Sequence, residues 1–539
     1  MSSPIPDPIQ AGLARGWKVI DASTLAADQA MDADVVVVGS GAGGGVSAEI
    51  LALAGLQVVI VEEGALKSSQ DFRMREAEAY PALYQESAAR KTADKAINIL
   101  QGRTVGGSTT VNWTSSFRTP PSTLDWWRRR YGLAGYSEQS LAPWFAMMEE
   151  RLNISDWQTA PNENNALLRR GADKLGIPVA AIRRNVRGCW NLGYCGMGCP
   201  TNAKQSMLVT TIPSALDHGA TLVTRARAER FEITHNRVSE LLCVALDAHG
   251  QAATGRVLLL RAKHFVAAGG AINTPALLMR SGAPDPHGLL GKRTFLHPTL
   301  VSAALYEQPV NGYAGAPQTI YSDHFLKTQP IDGPLGFKLE VPPMHPLLLA
   351  TTMTDFGRRH AELMRQFPHM QGMLALLRDG FHADARGGEV KLHGGAPVLD
   401  YPLTDAVWDG ARRGLLAMAE IQFAAGAKTV KPAHEMATPY RSWAEAREAI
   451  GALSLRPQLV KVASAHVMGG CGMAGDERLG VTAPDGRYRH LANLSVHDGS
   501  LFPTSIGANP QLSIYGITAW LTSGLAQALT GRPAPRVTA

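Results

Sequence analysis

The residues Gly39-Ser-Gly41-Ala42-Gly43-Gly44-Gly45, with Glu62 at the end of the next apolar run, have the types and spacing needed to hold a dinucleotide. Gly39 allows a tight turn, Gly41 lets the main chain approach a pyrophosphate, and Gly44 lets a helix pack closely on a strand. The pyrophosphate would sit on the positive N-terminal end of that helix. Glu62 would accept both hydroxyls of an adenosine ribose. A second conspicuous group is the thiol cluster Cys189-x5-Cys195-x3-Cys199.

The elements that must position these residues are legible nearby. Four valines at 35–38 read as a buried parallel strand, residues 46–54 as a helix of small and apolar residues, and residues 58–61 as a second strand. Strand, turn, helix, strand and acid in that order make the signal far stronger than a lone glycine pattern. Residues 1–30 form a lead-in. Residues 67–98, polar and largely helical in pattern, suit an excursion that covers a cofactor. Another glycine-rich loop spans 102–112. Residues 131–180 are helical in pattern, 221–231 a strand, and 256–260 with 264–268 two further short apolar runs. Pro275 is placed for the first turn of a helix over 276–281. From about 300 to 455, strand-like alternation mixes with Pro- and Met-rich loops, which predicts a separate layer over the site. Residues 494–500 read as a strand ending at Asp498, and 511–529 as an apolar C-terminal helix.

The 539 residues allow two to four domains, and 45% hydrophobic with 18% charged residues is ordinary for a globular protein. A formal charge of +6 and a pI near 9.0 describe a mildly basic surface. The densest basic run, Arg128-Arg129-Arg130, is too short to track a phosphate backbone, so no nucleic acid is expected. The N-terminus carries Pro4, Pro6 and Pro8 but no apolar core of a secretory signal, and no apolar stretch is long enough to span a bilayer. A cytoplasmic location is therefore expected, with peripheral membrane association left open. Five cysteines, an odd and low count, do not make a disulfide framework.

The chain resembles the glucose–methanol–choline (GMC) family of FAD-dependent oxidoreductases. The match is carried by the first glycine turn with Glu62, by Gly102-x3-Gly106-Gly107-Ser108-x3-Asn112, and by Gly270-Ala-x2-Thr274-Pro275-x-Leu277-Leu278-x2-Ser281-Gly282. Ser464-Ala-His466-Val-Met-Gly469-Gly470 and Asp498-Gly499-Ser500-x8-Asn509-Pro510 add two more. Within the family it looks most like the long-chain fatty-alcohol oxidases, in phrases such as Cys195-Gly-Met-Gly-Cys199 and Leu296-His297-Pro298, but it lacks their N-terminal membrane segment. The resemblance implies an α/β fold, α+β overall: a discontinuous Rossmann-like FAD-binding domain over 1–300 and 456–539, and a substrate-binding domain over 301–455 built on an antiparallel sheet with helices.

It also implies the chemistry. An alcohol loses its hydroxyl proton to a base and its α-hydride to the flavin, and a histidine is the natural base near neutral pH. By resemblance that base is His466, with Asn509 hydrogen-bonding the alkoxide. FAD would lie among Gly39, Gly41, Ala42, Gly43, Gly44, Glu62, Glu63, Arg103, Gly106, Gly107, Ser108, Asn112, Asp498, Gly499, Asn509 and Pro510, with the main chain near Ala226 or Val223 against the adenine. His297 and His264 read as structural, and the Met- and Leu-rich residues 344–376 as either a substrate channel or ordinary core. The implied partners are a small-molecule alcohol with an apolar body and oxygen or another electron acceptor. The thiol cluster is similar to the iron–sulfur loop of bacterial FAD-dependent glucose dehydrogenase subunits, which would pass electrons to a partner. Cysteine-rich loops also occur in fatty-alcohol oxidase relatives with no identified cluster, and that reading leads, with no metal expected. Non-oxidative GMC-fold enzymes, lyases or photoenzymes, are the other alternative. An NAD-linked dehydrogenase would fit the first glycine turn alone but not the second glycine loop or the C-terminal motif.

Overall fold

The computed structural model describes residues 5–538; residues 1–4 of the expected lead-in and Ala539 lie outside them. The valines at 35–38 belong to the strand Gln29–Val38 in the middle of an eight-stranded sheet. All four are buried, with strands flanking them on both edges and the helix Ala42–Leu53 packed against their strand. Val58–Val61, Thr221–Thr224 and Lys18–Asp21 continue in parallel on one side, and Ala253–Ala267 on the other. Arg237–Leu246 and Ala226–Thr234 extend that second side antiparallel. Leu494–Val496, from the far end of the chain, pairs in parallel with Ala253–Ala267. The helix Ala42–Leu53 packs between Thr211–Asp217 and the C-terminal helix Gln511–Thr530.

Three sequence expectations are corrected here. The apolar runs at 256–260 and 264–268 are one strand, and its polar interruption is matched across the ladder: Arg261 pairs with Asp32 at 3.0 Å and Lys263 with Asp34 at 2.7 Å. The run 221–231 is two strands, broken where Arg225 adopts a left-handed φ of 52°. Residues 67–98 hold a single α-helix, Glu76–Leu83; short turns and left-handed residues at 86–88 and Lys95 prevent a longer one, and Ile97–Ile99 leaves as a strand.

A second eight-stranded sheet is centred on Thr299–Leu305, flanked by Met370–Leu377 and Val462–Ser464. Beyond these lie Phe337–Glu340, Ile320–Ser322 and Ala180–Ala181 on one side and Ile97–Ile99 on the other. Side chains alternate across such a strand. Ser302 points to the helix Asp405–Ala424, where its hydroxyl donates to Gln422 at 2.7 Å, whereas Val301 and Ala303 face a cavity. The same alternation puts Phe337 and Leu339 in the apolar core against that helix. Lys338 and Glu340 are left on the opposite face.

Candidate active site

Between the two sheets lies one cavity of about 740 Å³. At one end the helix Ala42–Leu53 begins against the strand entering from the C-terminal part of the chain. A Cβ on Gly43 would stand 1.6 Å from the carbonyl oxygen of His497, so only glycine permits this approach. Gly107, at φ 53°, lies so close that its own Cβ would meet the Cα of Gly41 at 2.8 Å. The two glycine loops thus touch and form one continuous main-chain wall. The Glu62 carboxylate accepts from the Ser40 hydroxyl (2.6 Å) and main-chain N–H (3.1 Å) and from the Gly64 N–H (2.8 Å). Burial pushes its pKa up against these hydrogen bonds. Asp498 accepts from Gly270 N–H (2.8 Å) and Thr274 hydroxyl (2.6 Å), tying the third glycine motif to the C-terminal one.

At the other end stand His466 and Asn509. The Asn509 amide is oriented from both sides: its Oδ1 accepts from Lys338 Nζ at 3.0 Å, and its Nδ2 donates to Glu340 Oε2 at 3.2 Å. Lys338 and Glu340 form a buried ion pair at 3.1 Å, 3% and 0% exposed. Gln318 donates a further 2.7 Å bond to Glu340, and the Lys338 ammonium lies 3.0 Å from the centroid of the Phe117 ring. Burial pulls Lys338 down to about 8, opposed by Glu340.

Two donor chains converge on His466. Its Nε2 is 3.4 Å from Asn509 Nδ2, which is a donor because Oδ1 is the atom facing Lys338. Its Nδ1 is 3.3 Å from His297 Nδ1. His297 Nε2 accepts from the Gly507 N–H at 3.1 Å, which leaves the neutral His297 proton on Nδ1, aimed at His466. A neutral imidazole has one acceptor nitrogen. His466 therefore satisfies His297 or Asn509, not both, and the protons on the two rings are coupled. Burial, opposed by Glu340 and reinforced by Lys338, lowers His466 to about 4, and His297 is lowered well below its usual value by burial and by His466.

The cavity wall includes Gly39, Gly41, Ala42, Gly43, Glu62, Glu63, Gly107, Ser108, Asn112, Ala226, Asp498, Gly499, His466, Asn509 and Pro510. Gly44, Gly106 and Arg103 stand behind it. Gly44 packs under the Gly39 carbonyl, Gly106 N–H donates to Ser40 at 3.0 Å, and Arg103 is drawn away to Glu63 at 3.0 Å. Val223 also lies off the wall, in the sheet interior. Of the Met- and Leu-rich residues 344–376, Met344, Leu349, Met353, Leu374 and Leu376 line the apolar arm of the cavity, and Met344, Leu349 and Met353 also belong to a small core. His264 is a packed core residue, its Nε2 2.9 Å from Ser495 Oγ. His297, read from sequence as structural, touches His466. Lys338, Glu340, Trp113 and Ser115 were not singled out from sequence. For the first two the available signal was a pair of charges two apart in the apolar run Phe337-Lys-Leu-Glu-Val341.

Cys189, Cys195 and Cys199 are half-buried free thiols with separate neighbours: Asn191 N–H, the Arg184 guanidinium, and Thr201 with Lys204 N–H. Among the described residues no three His, Cys, Asp or Glu side chains come together as a metal-binding group. No helix among them is long and apolar enough to cross a membrane.

Residues 80–299 match the N-terminal family model of the GMC oxidoreductases, and residues 383–518 match its C-terminal model. A GMC-type oxidoreductase of Mycobacterium tuberculosis is 31% identical over 89% of this chain and 74% of its own. A long-chain-alcohol oxidase of Arabidopsis thaliana is 28% identical over 92% of this chain and 68% of its own. A solved formate oxidase superposes with a TM-score of 0.69 at 15% identity, covering 93% of this chain and all of the other, which shows the shared fold. The chain belongs to the GMC oxidoreductase family. It is an FAD-dependent oxidoreductase acting on CH–OH groups. The cavity fits that cofactor. Glycine cradles and two helix N-termini line it, and the buried Trp113 Nε1 and Ser115 Oγ on its wall have no hydrogen-bond partner among the described residues.

Proposed function

We propose that this chain oxidises a primary or secondary alcohol with an apolar body to the aldehyde or ketone, with oxygen as the electron acceptor. One observation carries the reading: a single cavity joins the polar pair His466 and Asn509 to an arm walled by Met344, Leu349, Met353, Leu374 and Leu376. An apolar body in that arm leaves its hydroxyl at the polar end. Similarity to the Arabidopsis thaliana long-chain-alcohol oxidases supports the same substrate class.

Bound FAD supplies the hydride acceptor. Glu62 would hold the adenosine ribose, the Ala42–Leu53 helix start the pyrophosphate, and Gly107, Ser108 and Asn112 the flavin. His466 accepts the hydroxyl proton at Nε2, the nitrogen beside Asn509, in the tautomer whose own proton is on Nδ1; that state satisfies Asn509 and leaves the His297 N–H without an acceptor on His466. Asn509 donates its Nδ2–H to the substrate oxygen and holds it as negative charge develops. The helix Gln511–Thr530 begins directly after Asn509 and Pro510, and its positive end favours negative charge at that place. The apolar arm excludes water and aligns the carbon that gives up hydride.

The test is anaerobic mixing of the purified flavoprotein with a panel of alcohols. Long-chain or aromatic alcohols should bleach the flavin. His466→Ala should keep its FAD and slow bleaching by about 10²–10⁴-fold. Unchanged bleaching in that variant removes His466 as the base. An absence of bleaching by every alcohol removes the oxidation and favours a non-oxidative flavoenzyme.

A further inference from the structure

Half of the large apolar side chains left exposed among the described residues gather around the outer wall of the apolar arm. Eight such side chains are exposed among the described residues, and Met74, Leu347, Phe356 and Met436 are four of them. The short helix Pro346–Thr352 is that wall. Leu348, Leu349 and Thr352 face the cavity, while Leu347 on the opposite side is 42% exposed. Glu76 accepts from the main-chain N–H of Leu347 (2.7 Å) and Leu348 (2.8 Å), which brings Met74 to the same place. Thr354 bonds the His434 carbonyl at 3.4 Å, and Asp355 pairs with Lys431, which brings Met436 alongside. Between these anchors Phe356 projects into solvent, 91% exposed.

The unpaired charge around this rim is mainly positive. Arg73, Arg358, Arg359 and Arg365 are exposed and have no ion-pair partner among the described residues. The local acids are engaged: Asp355 with Lys431, Glu435 with Lys461, Glu78 with Arg75, and Glu76 with the helix N–H groups, which leaves Glu362 alone. The helix Gly357–Arg365 carries the arginines outward, while Leu363 and Met364 pack inward on a small separate core of Met344, Leu349, Met353 and Met370. A projecting aromatic among aliphatic side chains, ringed by unpaired cations and seated over an apolar cavity, is the pattern that recognises an anionic lipid surface.

We propose that this face docks the protein on an anionic phospholipid bilayer, with Phe356 and Leu347 entering the headgroup region and the arginines meeting lipid phosphates. The wall of the apolar arm then rests against the membrane, and an alcohol dissolved in the bilayer reaches the cavity without crossing water. The docking stands apart from the choice of substrate and is measured directly.

The experiment is cosedimentation of the full-length, FAD-loaded protein with vesicles of phosphatidylcholine alone or mixed with phosphatidylglycerol. Binding should favour the mixed vesicles and weaken as salt is raised. Each arginine near an anionic surface is worth about fivefold in partitioning, so Arg358→Glu with Arg359→Glu should weaken binding by at least about 25-fold. Phe356→Ser should weaken it without altering its salt dependence. Both variants should keep their flavin absorbance and their melting temperature, which separates lost docking from lost folding. Equal binding to both vesicle types overturns the proposal. So does partitioning that survives both substitutions, or that follows Arg128→Glu with Arg130→Glu on the basic run elsewhere in the chain.

Discussion

Glu340→Gln leaves Lys338 as a buried ammonium whose counter-charge, 3.1 Å away, is gone. Removing one partner of a buried pair usually costs about 3–5 kcal/mol, because the remaining charge is trapped. Lys338 has an escape, since burial already holds its pKa at about 8. An unfolded lysine titrates near 10.4, so the charged wild-type residue costs about 3 kcal/mol of stability at pH 7 relative to a neutral amine. If losing Glu340 drops the folded pKa below 7, the cost is capped at about 5 kcal/mol, the work of deprotonating lysine at that pH. The lysine part of the defect is then at most about 1–2 kcal/mol. Replacing a carboxylate acceptor by an amide for Asn509 and Gln318 adds about 1 kcal/mol. The expected deficit is about 2–3 kcal/mol at pH 7 by urea unfolding of the holoenzyme. The sign of the pH effect follows from linkage: a lysine with a lowered folded pKa gains stability as pH rises, and the variant starts to gain below pH 8, before the wild type does. The deficit should therefore shrink by about 1 kcal/mol between pH 7 and 8. In a Lys338→Met background, Glu340→Gln should lose this pH dependence. A deficit that is the same at both pH values, and the same with and without Lys338, would refute the reasoning.

The other predictions are simpler. Gly43→Ala forces a Cβ to 1.6 Å from the His497 carbonyl, so the protein should purify with little FAD and a lowered melting temperature, read by flavin absorbance and calorimetry. His264, His297 and His497 are three of the buried histidines, with pKa values about 4, well below normal, and about 3, and His466 adds to the same effect. Each stays neutral in the folded state and is protonated when unfolded below about pH 6.5, so the first three alone should lower stability by up to about 4 kcal/mol per pH unit from pH 6 to 5, checked by urea unfolding. Because burial holds His466 at about 4, the rate of flavin reduction should persist to about pH 5 instead of failing near 6.5, a point checked by stopped-flow absorbance. Met353→Glu places a charge in the apolar arm and should lower kcat/KM for long-chain alcohols by at least about tenfold while sparing short ones.

The nucleotide end was legible because its chemistry is local. A run of four valines fixes a strand buried on both faces, and the glycine phases fix the turn that follows, so Gly39 to Gly43 and Glu62 reach the cavity where spacing puts them. Asp498 and Asn509 were reached only through resemblance, since no periodic pattern ties them to residues more than four hundred positions earlier. The holders of Asn509 were missed for a different reason. Lys338 and Glu340 look like an ordinary charged pair on a strand, and only the second sheet, which turns that face inward, makes them part of the site. His297 was read as structural and not placed beside His466, because the contact depends on the left-handed turn at φ 47° that aims its ring. The stretch 67–98 misled because its polar residues cap turns instead of covering a helix, as Ser68 and Asp71 do for each other.

The contact between Gly43 and His497 also sets a clock on synthesis. The two residues are separated by more than 450 positions, and Asp498, which locks Gly270 and Thr274, follows immediately. At elongation speeds of about 5–20 residues per second, the first glycine loop waits roughly 20–90 seconds on the ribosome for the strand that closes it. During that interval the central sheet lacks its partner Leu494–Val496, and the helix Ala42–Leu53 has one flank bare. A nascent chain of this protein therefore spends most of its translation with an apolar seam open. Demand for a chaperone should peak late, and cofactor capture should come after release.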